Sequence, residues 1–104
     1  MNGMKIKLNQ TLQETAVALN ELGYRDNELG NDKPVFVDRG CMSAIKSFDD
    51  DKVAVSIEGY VDKDEATLEV YRYKGYPRAH ASIRGVRDHK KYTDETRHLW
   101  RRAK

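Results

Sequence analysis

A single cysteine, two prolines and no long apolar run set the first limits on this chain of 104 residues. Cys41 has no second thiol to pair with, so no internal disulfide framework is possible, which fits a reducing compartment. Without an 18-residue apolar stretch or a charged-then-apolar leader, the sequence shows neither a membrane span nor a secretory signal, and the expectation is a cytoplasmic protein. Ile, Leu, Val and Phe make up only about a fifth of the residues, close to the composition at which strongly charged chains stay disordered. Small net charge and clear periodicity argue for folding, around one thin core and as one domain spanning 1–104.

Catalytic and cofactor signatures are also missing. His80, His89 and His98 are evenly spaced but fall on different expected elements, and no short ligand pair accompanies them, so the expectation is no metal and no cofactor. Asp49-Asp50-Asp51 lacks the alternating oxygen ligands of a cation loop and reads as a solvated turn. Cys41, just after Gly40, reads as a small apolar residue.

What the sequence does have is charge, unevenly placed. Residues 66–104 hold eleven Lys/Arg against four acids, net +7, whereas the first 65 residues carry net −5, so a whole-chain value of +2 conceals a polarised molecule. Such asymmetry points to an anionic partner.

Periodicity supplies the elements. Met4–Leu8 alternates apolar and basic residues, as a strand with one buried face does, and an edge position is expected. Thr11 and Glu14 have capping-box spacing, and Leu12, Ala16, Leu19 and Leu22 form a stripe closed by Gly23, which predicts a helix over 11–22. Residues 24–33 read as a loop and Val35-Phe36-Val37 as a short strand. Cys41, Met42, Ile45 and Phe48 recur at the spacing of a two-turn helix. From Lys52 the period becomes two, with Val53, Val55, Ile57 and Val61 on one face. A turn of Asp62 opposite Glu65 then sets Glu58 against Glu69, and a two-residue loop at Gly75-Tyr76 leads into a third strand over 78–84. Thr93 caps a last helix over 93–103, anchored by Trp100. The fold class is therefore α+β: an antiparallel sheet, made of a three-strand meander over 52–84 and one or two short N-terminal strands, with both helices on one face.

The order helix, three antiparallel strands, helix resembles double-stranded-RNA-binding domains, and His89-Lys90-Lys91 precedes the last helix roughly where those domains carry lysines. The resemblance is topological: the loop histidine motif of that family is absent, and the segments before residue 52 have no counterpart in it.

Tyr71, Tyr73, Arg78, His80 and Arg84 would gather with Tyr60, Glu58 and Glu69 on the uncovered sheet face. Arg87, Lys90 and Lys91 precede the last helix, and Arg97, Arg101 and Lys104 line it. Rings that stack on bases beside cations that hold phosphates suit a nucleic-acid-binding module. Two alternatives stand beside it. One is a small phage-type regulator or inhibitor that binds a protein of a nucleic-acid machine, through the acidic half (Asp26, Glu28, Asp32, Asp38, Asp49 to Asp51). The other is a metal-independent ribonuclease using Glu58, Glu69, His80 and Arg84, since facing carboxylates raise a pKa and suit acid–base work.

Overall fold

The computed structural model describes residues 3–27, 32–72 and 89–103. Its centre is an antiparallel sheet whose strands, numbered along the chain, are β1 (Gly3–Leu8), β2 (Arg25–Asp26), β3 (Cys41–Phe48), β4 (Val53–Tyr60), β5 (Ala66–Arg72) and β6 (Trp100–Arg102). They lie side by side as β2-β3-β4-β5-β1-β6. Helices α1 (Leu12–Glu21) and α2 (His89–Thr93) and a 3-10 helix (Asp94–Leu99) complete an α+β fold.

Helix α1 forms where its local chemistry places it. The Thr11 hydroxyl accepts from the Glu14 amide at 3.1 Å while the Glu14 carboxylate takes the Thr11 amide at 3.0 Å, so two otherwise orphaned donors are satisfied. Leu12, Thr15, Ala16 and Leu19 are buried, one turn above another. At the far end, the Tyr24 amide bonds the Leu19 carbonyl and the Gly23 amide that of Asn20, with Gly23 at φ +92°. That is the Schellman pattern, which needs a left-handed residue at Gly23. It also carries Tyr24 inward, where the ring is fully buried, so residues 24–33 are no simple loop: Arg25–Asp26 pairs with Ile45 and Ala44.

The segment 41–48 is a strand, not the expected two-turn helix. All eight of its residues pair with β4, from Cys41 opposite Tyr60 to Phe48 opposite Val53. Met42, Ala44, Lys46 and Phe48 share the covered face, and Lys46 in that row hid the period of two. Lys46 is tolerated there because its ammonium donates to the Leu22 carbonyl at 2.6 Å, meets Glu95 at 2.9 Å, and lies 5.1 Å from the centre of the Phe48 ring. Val35-Phe36-Val37 is not a strand either: Asn20 holds it by bonding both the Val35 amide (2.6 Å) and its carbonyl (2.8 Å). At the β3–β4 turn Asp49, Asp50 and Asp51 all have left-handed backbone, a region that Asp enters more readily than most residues.

The meander is therefore β3-β4-β5, over 41–72. The expected loop 74–77 and strand 78–84 lie outside the described residues, but β5 is flanked on both sides: Leu68 sits between Ile57 and Met4. Strand β1 is consequently internal, between β5 and β6, rather than at an edge. The helix expected over 93–103 ends as something else, because α2 and the 3-10 helix give way to β6. Thr93 makes no capping bond. The helix, three strands, helix order that resembles double-stranded-RNA-binding domains is thus replaced by a sheet that draws in strands from both ends of the described chain.

The core lies between the sheet and its helical cover, with Ile6, Leu19, Val55, Ile57, Leu68 and Trp100 among its buried residues. At Gly59 the sheet lies close under α1, since a Cβ there would stand 2.9 Å from Leu12 Cδ2. The Trp100 indole donates to the Thr96 hydroxyl at 3.0 Å, which pins the 3-10 helix to the strand that follows it.

Candidate functional site

The register decides which side chains meet on the sheet face opposite the helices. Glu58 faces Thr67 and Ser43, and Glu69 faces Ser56 and Gly3. The direct Glu58–Glu69 opposition expected from the sequence is absent, because the β4–β5 register lies two residues from the expected one. A shift of two preserves the face, so Glu58, Tyr60, Glu69 and Tyr71 do share it. The Tyr60 hydroxyl donates to Glu58 at 3.0 Å, and that bond, with the carboxylate charge, raises the Tyr60 phenol above its ordinary value. Ser56 donates to the Tyr71 hydroxyl at 3.3 Å. The middle of the face is shielded, with Ala54, Ser43 and Ser56 buried and Tyr71 half-buried.

The cationic part of this face lies at its β1–β6 side. Lys7 is directly opposite Arg101, and Lys5 occupies the next outward position of β1. Lys5 and Arg101 are exposed. Among the described residues, the one acid in contact is Asp64, 3.0 Å from Lys7 and itself 82% exposed, so the bridge is weakly held. Like charges paired across a sheet are destabilising. Lys5 and Lys7 were missed as site residues because their neighbour β6 was expected to be helix; the alternation Lys5, Lys7 along β1 was the signal available.

Among the described residues, the other expected site residues Lys90, Lys91 and Arg97 lie apart from this row. Lys90 and Lys91 belong to α2, which packs beside the β3–β4 turn: Tyr92 meets Phe48 edge-on at 5.6 Å and donates to Asp49 at 2.7 Å. Lys91 stands 3.7 Å from Asp49. Phe48 is on the covered face, so these lysines are separated from Arg101 by the sheet. Arg97 is engaged with Trp100, through its ring at 4.3 Å and its carbonyl at 2.8 Å. Tyr73, Arg78, His80, Arg84, Arg87 and Lys104 lie outside the described residues, as does Glu28 of the acidic half. Within that half, Asp26 is buried while Asp32, Asp38 and Asp49 to Asp51 are exposed.

Among the described residues no cluster of three or more His, Cys, Asp or Glu side chains is placed to hold a metal ion, and no helix is long and apolar enough to cross a membrane. No protein-family model matches the chain, and no curated protein and no solved structure was found to match it either.

Proposed function

We propose that this chain is a small nucleic-acid-binding module that holds phosphates on the outward face of β1 and β6. The observation that carries the reading is the pairing of Lys7 with Arg101, reinforced by Lys5 on the same face. A fold that places cations directly opposite one another gives up stability, on the order of a few tenths of a kcal/mol to 1 kcal/mol, and a bound polyanion restores it by replacing repulsion with charge-assisted hydrogen bonds. The net charge of +7 over residues 66–104 acts in the same sense. The altered register removes the facing carboxylates on which the ribonuclease reading rested. Stacking falls to Tyr60 before Tyr71, since Tyr60 is 37% exposed.

Phosphate contacts release counterions, so affinity for a single-stranded oligonucleotide should fall log-linearly with salt, by about 0.7 in slope per phosphate engaged. Lys5→Glu combined with Arg101→Glu should reduce that slope by about 1–2 and weaken all sequences alike. Both side chains are exposed, so the melting temperature should hold. Unchanged binding at low salt would overturn the proposal and direct the search to a protein partner of the acidic half.

A further inference from the structure

At the end of the sheet where α1 begins, the β4–β5 loop and the start of the helix enclose an open groove of about 330 Å³. Its floor is apolar, made by Leu8, Leu12, Gly59 and Ala66. Its rim carries Tyr60 and Val61, 37% and 62% exposed, two of the four large hydrophobic side chains left exposed among the described residues. Apolar side chains concentrated at one cleft mark a contact site more than scattered ones do. The volume is at the lower end for small-molecule sites, and suits an anchoring side chain better than a cofactor.

The charges around the groove select the occupant. Asp64 turns toward Lys7 at 3.0 Å, and the Lys63 ammonium lies over the Tyr60 ring at 5.6 Å. Asp62 and Glu65, in the same loop, form no ion pair among the described residues. With Asp64 held by Lys7 and Lys63 drawn over the Tyr60 ring, Glu65 is the remaining carboxylate lining the groove, and it repels a phosphodiester and attracts a cation. Gln13 also lines the groove, and a carboxamide can both donate to and accept from an extended backbone.

We propose that this groove docks an extended protein segment, with one medium-sized apolar side chain on the Leu8–Leu12–Ala66 floor and a Lys or Arg beside it facing Glu65. The groove shares Tyr60 with the phosphate-binding face, but its Leu8–Leu12–Ala66 floor and Glu65 are separate from the Lys5–Lys7–Arg101 row. Segments that anchor one apolar side chain in a pocket take most of their affinity from it, and the flanking charge sets which partner is accepted.

The test uses the intact chain and two synthetic tripeptides, acetyl-Leu-Arg-Leu-amide and acetyl-Leu-Glu-Leu-amide, followed by amide shifts in two-dimensional NMR. The Arg peptide should give saturable shifts at Leu8, Gln13, Val61 and Glu65, at least tenfold tighter than the Glu peptide. Val61→Asp should abolish them, and Glu65→Lys should reverse the preference; both positions are exposed, and an unchanged spectrum elsewhere verifies the fold. Absent shifts, or equal shifts with both peptides, would each overturn the proposal.

Discussion

The Arg97 guanidinium lies 4.3 Å from the centre of the Trp100 ring and donates to the Trp100 carbonyl at 2.8 Å. The bonds from Asn9 to the Leu99 carbonyl and from Ala103 to that of Lys5 fix the phase of the β1–β6 ladder, so the backbone groups of Trp100 and Arg102 point away from β1. Arg97 therefore covers a carbonyl on the edge that β6 forms among the described residues. Trp100→Ala should cost ~3–5 kcal/mol, as loss of a buried Trp does, and melt far lower. Arg97→Ala should cost about 1–2 kcal/mol and, with the edge uncovered, associate as concentration rises in sedimentation velocity. Equal melting of both variants would show that the ring is not a core anchor.

Tyr24 is fully buried, and its hydroxyl bonds to no group among the described residues. Burial, helped by the charge of Glu95, raises its pKa far above the ordinary value of 10.0. The neutral form is thus favoured in the folded state, and its contribution to stability is intact below pH 10. Above that the unfolded chain loses the proton while the folded one keeps it, so stability should fall by up to about 1.4 kcal/mol per pH unit. Tyr24→Phe should flatten this alkaline decline in denaturant titrations. At pH 7 it should gain roughly 1 kcal/mol, because an unsatisfied buried hydroxyl is removed. A loss of stability at pH 7 would reveal a partner for the hydroxyl.

Lys46 joins three elements through the Leu22 carbonyl, Glu95 and the Phe48 ring. Lys46→Met keeps the length of the side chain and removes the charge. It should cost about 1.5–3 kcal/mol, the range for hydrogen bonds to charged groups, discounted toward the lower value because both partners are partly exposed. Hydrogen exchange should accelerate at the end of α1 and in the 3-10 helix before it does in β4.

Gly59→Ala forces a methyl to within 2.9 Å of Leu12 Cδ2. Overpacking of this kind costs ~1–3 kcal/mol, and the displaced Leu12 side chain should also narrow the groove. The variant should lower the melting temperature and weaken the Leu-Arg-Leu peptide together. Loss of one without the other would separate the packing of Gly59 from the shape of the groove.

Local chemistry was legible in the sequence wherever it acted within a few residues. Thr11, Glu14 and Gly23 delimit α1 because caps are local, and the alternation through Val53–Ile57 and Leu68–Val70 yields the strand faces. Two kinds of information were not local. Lys46 stands in an inward row of β3 because distant groups, Leu22 and Glu95, receive it, and nothing near position 46 announces that. Trp100–Arg102 is strand because β1 has a free edge to offer; the acids at 94–95 and the basic residues beyond suit a helix equally well. The cationic face followed the same rule: Lys5 and Lys7 were visible as an alternating pair, but their meeting with Arg101 depends on that long-range pairing.

The internal position of β1 also has a kinetic side. Its contacts with β5 and β6 join segments far apart in sequence, and such topologies fold slowly because loop closure precedes any reward. While a ribosome is still making the later segments, β1 has β5 on one side and nothing yet on the other. Lys5 and Lys7 then sit on a temporarily bare edge strand, where lysines discourage pairing with other chains. The same two charges that face outward in the finished sheet would thus keep the growing chain from sticking to its neighbours.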